Sequence, residues 1–258
     1  MKNLQWRCFD MYNSAPLSAP GGRIYRLYSD LAARPHLLIA GATGSGKSVT
    51  VNGIIYSLLA TRSPSECGFI LLDPKKVELS QYARLPHPVR YASDGPDMIS
   101  ALDYAVKETE NRFSIMARQG VKMYDGPDLY VIVDELADLV LTQKAAALEP
   151  LQRLSQIGRA ARVHVIACSQ CVLAKVIPTE IKCNFSTILG LRTATVAQSR
   201  FLVASAGCEL LPDPKKAGKS IGYLRDGADL DRYELYMYPE TEIAAMINYW
   251  TAGLRRAC

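Results

Sequence analysis

Short continuous apolar runs recur along the middle of the chain, and stretches with helical spacing separate them. The runs are HLLIA (36–40), GFILLD (68–73), LYVIVDE (129–135), VHVIACS (163–169) and FSTILGLR (185–192). The predicted helices between them run from about Gly46 to Ala60, near 96–119 and near 146–161. Strands that are apolar throughout and separated by helices are typical of a parallel sheet buried on both faces. The pattern predicts a doubly wound α/β fold, a mostly parallel sheet flanked by helices.

The two ends of the chain show other patterns. Near the C-terminus, SIGYLRD and YELYMYP predict an antiparallel pair of strands at the sheet edge, and a predicted helix over 240–254 follows them. Near the N-terminus, the breaker-rich segment SAPLSAPGG predicts irregular structure. We therefore divide the chain into an N-terminal arm, residues 1–21, and a single α/β domain, residues 22–258.

Size and charge limit the location and the partners of the domain. With 258 residues and 49% hydrophobic content, the chain has enough material for one large buried core. Thirty Lys and Arg residues against 25 Asp and Glu give a net charge of +5, which permits a nucleic-acid partner but does not indicate one. The apolar runs fall far short of the roughly 20 residues that cross a bilayer, and MKNLQWRCFD lacks an apolar signal core. A cytoplasmic location is predicted.

The segment AGATGSGKSVTVNGII, residues 40–55, follows the first predicted strand and opens a helix. It meets the GxxxxGK[ST] pattern in the strand, loop and helix context that a phosphate loop requires. Backbone N–H groups of such a loop converge on a triphosphate, Lys47 is expected to reach the outer phosphates, and Ser48 is expected to hold Mg²⁺. The residues expected to contact ATP are Gly41, Ala42, Thr43, Gly44, Ser45, Gly46, Lys47, Ser48 and Val49.

An acidic pair ends the third apolar run. Tyr130 to Val133 lead into Asp134 and Glu135, the Walker B arrangement of ATPases that hydrolyse their nucleotide. Asp134 is expected to order Mg²⁺ through water, and Glu135 is expected to polarise the attacking water. The next predicted strand leads to Gln170, a candidate for the polar residue that senses the γ-phosphate from a neighbouring strand end.

Three further patterns receive structural interpretations. A second GKS, Gly218 to Ser220, has Asp213 where a phosphate loop needs glycine, and it is interpreted as a loop. Cys168 and Cys171 spell CxxC without a second close pair, so a metal or redox role is the minor alternative to reduced structural thiols. The histidines show no ligand spacing and are interpreted as structural: His36, His87 and His164.

The longer strings resemble one family, the motor domain of the FtsK/SpoIIIE DNA translocases. Over residues 22–240 they are DLAARPHLLIAGATGSGKSVTVN, LLDPKKVELSQYARLPH, KETENRF, VIVDELADLV, IGRAARVHVIACSQ and IKCNFSTILGLRTATVAQSR. The DPK…EL and DELADL strings are far more specific than a phosphate loop alone. The resemblance implies a RecA-like P-loop ATPase that works as a hexameric ring around double-stranded DNA and moves it, without sequence preference, by ATP hydrolysis. It implies no small-molecule substrate beyond ATP.

The resemblance also implies roles for residues outside the phosphate loop. The family's KARAAGIH segment corresponds to GRAARVH here, which places Arg159 at the arginine that reaches the neighbouring subunit's nucleotide. Without the resemblance, Arg159 is interpreted as a surface arginine on a helix. Lys75, in the DPK segment, is expected beside the site without a defined role.

The expected DNA contacts depart from the family pattern. Where the family has an arginine after the sensor strand, in ATQRP, this chain has CVL (171–173), and Val196 replaces a later lysine. Each lost cation weakens DNA binding and lowers its salt dependence. The remaining candidates for DNA contacts are Arg200, Arg192, Lys175 and Lys182. The lost cations leave a secretion-type ATPase that moves protein substrates as the alternative, although such proteins usually carry several linked ATPase modules.

Two further alternatives concern the whole protein. The chain lacks the membrane-spanning and winged-helix regions of full-length chromosomal translocases, so it is expected to be either a motor fragment or a compact member carried on a conjugative or integrative element. Either form leaves room for a membrane-anchored partner or a missing membrane domain that recruits the motor to the inner face of the cell membrane. A non-motor scaffold gated by nucleotide is disfavoured, because it would not need Glu135.

Overall fold

The computed structural model describes residues 17–18, 24–25 and 35–254, apart from 88, 218 and 236. Its strands are β1 (Leu17–Ser18), β2 (Ile24–Tyr25), β3 (His36–Ala40), β4 (Cys67–Leu72), β5 (Val89–Ala92), β6 (Asp128–Val133), β7 (Val163–Ser169), β8 (Thr187–Gly190), β9 (Ser220–Asp226) and β10 (Asp229–Leu235). Its α-helices are α1 (Lys47–Thr61), α2 (Gly95–Gln119), α3 (Leu136–Gln143), α4 (Ala145–Ile157), α5 (Thr179–Lys182), α6 (Val196–Val203), α7 (Pro214–Ala217) and α8 (Glu240–Leu254).

One eight-stranded sheet organises the described domain, in the order β10-β9-β8-β3-β7-β6-β4-β5. The six strands from β8 to β5 run parallel, whereas β9 is antiparallel to both of its neighbours. Strands β3, β4, β6 and β7 are buried along their whole length because helices cover both faces of the sheet. The predicted fold class is confirmed, including the antiparallel strands at one edge.

Each face of the sheet has its own apolar layer. Helices α1 and α8 pack on one face, where the Trp250 indole Nε1 donates to the Leu59 carbonyl at 3.0 Å. Helices α2, α3, α4 and α6 pack on the other face. All six parallel strands end on the same side, at Ala40, Leu72, Ala92, Val133, Ser169 and Gly190, which we call the carboxyl edge. The opposite side, where these strands begin, is the amino edge.

Several elements differ from the sequence prediction. The strand predicted over 129–135 ends at Val133, so the acidic pair lies beyond the strand and Glu135 caps α3. The helix predicted near 146–161 is α4, which ends at Ile157 and leaves residues 158–162 as a turn. The second antiparallel strand, β10, begins four residues before the predicted YELYMYP segment and shares only residues 233–235 with it. Strand β5 and helices α3 and α6 have no counterpart in the prediction, because elements of four to eight residues carry a weak periodic signal.

The predicted arm is described only in part. Strands β1 and β2 pair antiparallel across the predicted boundary between residues 21 and 22. The other residues of the arm lie outside the described residues, so the division of the chain stays a prediction. Within the part of the chain that the structure describes, every helix is too short or too polar to span a membrane.

Candidate active site

The loop between β3 and α1 lies at the carboxyl edge and has a closely held backbone. The Gly41 N–H donates to the Ser169 carbonyl at 3.2 Å, and the Ala42 N–H donates to the Arg192 carbonyl at 2.7 Å. Gly46 has a φ of 100°, a conformation open to glycine, and it leads the loop directly into α1. The first N–H groups of α1 have no partner within the helix and are therefore available to an anion.

Lys47 is buried at the start of α1 and folds back over the loop. Its Nζ donates to the carbonyl oxygens of Gly41 at 2.8 Å and Ala42 at 3.2 Å. Burial lowers the pKa of Lys47, and the nearby carboxylates of Glu135 and Asp134 oppose that shift. The ammonium group thus lies between the loop and the acidic pair, where a phosphate oxygen could replace its carbonyl partners.

Ser220, the first residue of β9, supports the loop from behind. Its buried hydroxyl donates to the Ser45 carbonyl at 3.1 Å, and a Cβ atom at Gly46 would overlap this hydroxyl. Ser220 is the first residue of the strand predicted for SIGYLRD, so the interpretation of the second GKS as a loop does not extend to it. The two serines are 175 residues apart in sequence, so no local sequence pattern predicts their contact.

Asp134 lies just beyond β6 in an acidic environment. Burial raises the pKa of its carboxyl group to about 6, and three nearby carboxylates add to the shift, those of Asp73, Glu78 and Glu135. A carboxylate among like charges is costly to ionise until a cation joins it. An Asp134 carboxylate with a half-buried Ser48 hydroxyl suits Mg²⁺, which takes few protein oxygens and completes its shell with phosphates and water.

One further observation fits a phosphate group in the loop. The Ser45 hydroxyl is buried there and has no hydrogen-bond partner among the described residues, so it is available to a phosphate oxygen. Within the same residues, no group of three or more His, Cys, Asp or Glu side chains could hold a metal by itself.

The Glu135 carboxylate is buried and fixed by several donors. It accepts hydrogen bonds from the Ala137 N–H at 3.2 Å, the Gln170 N–H at 3.1 Å and the Ser169 hydroxyl at 3.3 Å. The Lys75 ammonium lies 3.8 Å from its other oxygen and also 3.8 Å from Asp138. These contacts hold Glu135 between the ends of β6 and β7 and give Lys75 a defined place beside the acidic pair.

Gln170 joins the acidic pair to the phosphate loop. Its backbone N–H contacts Glu135, while its side-chain Oε1 accepts a hydrogen bond from the Thr43 hydroxyl at 2.7 Å. A displacement of Thr43 by a bound phosphate would therefore reach Glu135 through one residue. The role of Gln170 as a γ-phosphate sensor stays a prediction.

Arg159 is exposed in the turn between α4 and β7, at the amino edge. Strand β7 has seven residues, and at about 3.3 Å per residue the turn lies about 20 Å from the carboxyl edge. An arginine side chain is too short to cover this distance. Arg159 therefore cannot contact a nucleotide in the phosphate loop of its own chain.

The predicted DNA-contact residues differ in their surroundings. Lys175, in the loop after β7, and Arg200, on α6, are exposed. Arg192 is half-buried, and its guanidinium lies 3.5 Å from the Asp213 carboxylate. Lys182 donates to the Phe201 carbonyl and lies over the Phe201 ring. Lys175 and Arg200 are thus the more accessible cations.

The histidines and the CxxC pair have the surroundings of structural residues. The His36 Nδ1 accepts the Val165 N–H at 3.1 Å, and burial lowers the pKa of His36 to about 3. The His164 ring lies 3.2 Å from Asp128. Burial raises the pKa of the Cys168 thiol well above its usual value, which is the opposite of a reactive thiolate.

Sequence comparison relates most of this chain to known proteins. A sequence model of the FtsK/SpoIIIE family matches residues 15–128 and 122–172. The DNA translocase FtsK of Chlorobaculum tepidum is 38% identical over 205 residues, which cover 72% of this chain and 26% of that protein. The chain thus spans about a quarter of the length of this relative.

Two solved structures share the fold. The pCW3 conjugation coupling protein TcpA, in a monomer form with ATPγS, aligns with a TM-score of 0.73 at 23% identity, over 85% of this chain and 66% of that one. The cytoplasmic domain of the type VII secretion ATPase EccC of Thermomonospora curvata aligns with a TM-score of 0.73 at 22% identity, over 92% of this chain and 31% of that one. At these identities the likeness concerns the fold alone.

Proposed function

This chain belongs to the FtsK/SpoIIIE family and is a P-loop ATPase, and we propose that it moves double-stranded DNA, without sequence preference, as a ring of identical subunits. The observation that carries the proposal is the division of the predicted site between two edges of one sheet. Lys47, Glu135 and Gln170 are at the carboxyl edge, whereas Arg159 is exposed at the amino edge. A neighbouring copy that presents its amino edge would complete the site.

The proposed mechanism assigns each residue one task. The Lys47 ammonium exchanges its carbonyl partners for the outer phosphates and stabilises the charge that develops there. Glu135 polarises the attacking water, and Gln170 links its position to the phosphate loop through Thr43. Mg²⁺, held by Ser48 and Asp134, would neutralise phosphate charge when bound. Arg159 from the neighbouring copy supplies a further cation, so hydrolysis depends on assembly.

Duplex DNA is the proposed substrate because the similar protein from Chlorobaculum tepidum is a DNA translocase. Lys175 and Arg200 are proposed as contacts to the DNA backbone, since both are exposed. Arg192 is proposed as a weaker contact because it pairs with Asp213. We propose a hexamer on DNA, with recruitment to the inner face of the cell membrane by an anchored partner or a further domain.

A secretion-type ATPase that moves proteins is the second candidate. The observation that favours it is apolar surface where the family resemblance predicts pore-facing cations, since Leu173 and Val196 are 44% and 40% exposed. An unfolded polypeptide offers apolar groups to such a surface, whereas DNA offers phosphates. The identity to a DNA translocase makes DNA the preferred substrate.

The test is the rate of ATP hydrolysis as a function of duplex length and concentration, at two salt concentrations. A DNA motor should be stimulated by duplexes long enough to fill the ring, and the stimulation should weaken at higher salt because phosphate contacts release counterions. A rate of ATP hydrolysis that does not depend on DNA under any of these conditions would contradict the proposal and favour protein substrates.

A further inference from the structure

The turn that carries Arg159 has an unusual backbone for its residues. The Val163 N–H donates to the Gly158 carbonyl at 2.9 Å, and the Arg162 N–H donates to the Arg159 carbonyl at 3.2 Å. This pair of bonds is the Schellman end of a helix, whose left-handed position is usually occupied by glycine. Arg162 occupies that position here with a φ of 55°, which is unfavourable for a residue with a side chain. Contacts from outside the turn must therefore stabilise it.

Two buried charged residues provide such contacts. The Asp128 carboxylate accepts two hydrogen bonds from the Arg162 guanidinium, at 2.7 and 2.8 Å. Arg112, in the middle of α2, is 4% exposed. Its Nη1 donates to the Ala161 carbonyl at 2.9 Å and lies 3.3 Å from the Arg162 carbonyl. The turn is thus held through the side chain of Arg162 and through its own backbone carbonyls.

Arg112 also orders the segment beside the turn. Its Nη1 lies 2.9 Å from the Pro127 carbonyl, and its guanidinium lies over the Tyr124 ring at 4.6 Å. The Tyr124 N–H in turn donates to the Ala160 carbonyl at 2.9 Å. Arg112 Nε is fixed by Glu108, one helical turn earlier, at 2.9 Å. A single buried guanidinium therefore joins α2, the segment before β6 and the turn that carries Arg159.

We propose that Arg112 is a positioning residue for Arg159: it fixes the backbone of the turn so that the exposed arginine enters the neighbouring subunit's nucleotide site in one orientation. The proposal rests on the assembled motor described above. Charge on Arg112 is not available to a nucleotide, because the side chain is buried and its Nε and Nη1 form hydrogen bonds within the subunit. Arg112 should therefore affect the subunit that donates the arginine, and not the subunit that binds the nucleotide.

The experiment mixes pairs of inactive variants and measures ATP hydrolysis. In the reference mixture, the Lys47→Ala variant supplies an intact Arg159, and the Arg159→Ala variant supplies an intact phosphate loop. The rate of ATP hydrolysis should exceed the sum of the two components at least tenfold, because an arginine of this kind contributes roughly 10³ to 10⁵ in rate. The donor is then changed to a Lys47→Ala, Arg112→Met double variant. Hydrolysis in this mixture should fall to the sum of its two components, because a misplaced reacting group can cost on the order of 10² in rate.

A matched donor and a reciprocal mixture separate positioning from general damage. The Lys47→Ala, Arg153→Ala double variant lacks a half-exposed arginine of α4. As a donor, it should restore ATP hydrolysis as well as Lys47→Ala alone. In the reciprocal mixture, Arg112→Met supplies the phosphate loop and Lys47→Ala supplies Arg159. Full rescue there, with normal ATP binding, is expected, because the phosphate loop is at the other edge of the sheet.

Each outcome has a defined meaning. A double variant with Arg112→Met that donates as well as the Arg153→Ala control overturns the positioning role of Arg112. Failure in both directions, as donor and as acceptor, overturns it too, because it indicates general loss of structure. Should Arg112→Met fail to fold, Arg112→Lys keeps the charge with fewer donors and is judged by the same two mixtures. A silent reference mixture, with mixed rings demonstrated by sizing, contradicts the trans role of Arg159 itself.

Discussion

The two edges of the central sheet present their functional groups in different ways. At the carboxyl edge, the phosphate loop uses nine consecutive residues, a buried lysine and a carboxylate held by backbone N–H groups. At the amino edge, one exposed arginine projects from a turn that is held by buried charges on α2 and β6. The first site is built for a ligand from solvent. The second lies too far from the phosphate loop of its own chain to reach a nucleotide there, so we expect it to act on a neighbouring copy.

Because the two edges hold different groups, we expect that mutations can separate nucleotide binding from ATP hydrolysis. Residues at the carboxyl edge should affect nucleotide binding or the water in the same subunit. Residues at the amino edge should leave binding unchanged and alter hydrolysis only in assemblies. The contact between Ser220 and the phosphate loop adds a third case, a supporting residue that should change affinity slightly.

Replacement of Arg159 by alanine should have the largest effect. Hydrolysis is expected to fall by roughly 10³ to 10⁵, as for arginines that stabilise phosphoryl transfer elsewhere, while ATP binding stays normal. Titration with a fluorescent nucleotide and phosphate release, each at several protein concentrations, measure the two properties. Weakened nucleotide binding by the isolated Arg159→Ala subunit would contradict the expectation that amino-edge residues leave nucleotide binding in their own subunit unchanged.

Replacement of Glu135 by glutamine should have the next largest effect. The amide keeps the shape of the side chain and can still accept the backbone N–H groups, but it polarises water poorly. Hydrolysis is expected to fall about 10²- to 10⁴-fold with ATP binding retained. Phosphate release in a single turnover measures this, and a normal rate would remove Glu135 as the base.

Replacement of Asp128 by asparagine tests the amino edge through stability. Burial alone would raise the pKa of Asp128, but hydrogen bonds and charge from His164 and Arg162 outweigh it and hold the pKa well below its usual range. A lowered pKa stabilises the fold above about pH 4 and loses that contribution as the pH falls further. The variant should lose about 1 to 3 kcal/mol at pH 7 and show less additional loss in acid.

The measurement is urea unfolding at pH 7 and at successively lower pH values. Equal stability of the variant and the parent at pH 7 would show that the ion pair with Arg162 contributes nothing. A parallel decline of both proteins in acid would assign the acid sensitivity to other carboxylates.

Replacement of Ser220 by alanine should have the smallest effect, a loss of about 1 kcal/mol in stability and a few-fold weaker ATP binding. Ser199→Ala is the control for the loss of a buried hydroxyl that does not contact the phosphate loop. The Ser199 hydroxyl donates to the Ser205 carbonyl at 2.7 Å and accepts the Cys208 N–H at 3.0 Å. Ser199→Ala should lose at least as much stability as Ser220→Ala, but only Ser220→Ala should change the dissociation constant of ATP. Identical affinities for the two variants would separate Ser220 from the phosphate loop.

The fold class and the candidate residues of the carboxyl edge could be predicted from the sequence alone. Continuous apolar runs predict a parallel sheet. The residues from Gly41 to Ser48 are consecutive, so a linear motif identifies them. Asp134 and Glu135 were recognisable for the same reason, although the strand before them ends earlier than predicted. Short elements such as β5 and α6 were not predictable, because four to eight residues hold too few periods.

The distant residues that support these motifs could be identified only in the folded structure. Gln170 meets Thr43 because the parallel strands β7 and β3 end at the same edge. Ser220 meets Ser45 because the antiparallel strand β9 begins at that edge, and Arg112 meets the turn after α4 because α2 packs beside α4. The sequence separations of these pairs are 127, 175 and 49 residues, and buried polar groups take whichever partner the fold provides. The same geometry places Arg159 about 20 Å from the phosphate loop of its own chain, because the turn before β7 and the loop after β3 lie at opposite ends of parallel strands.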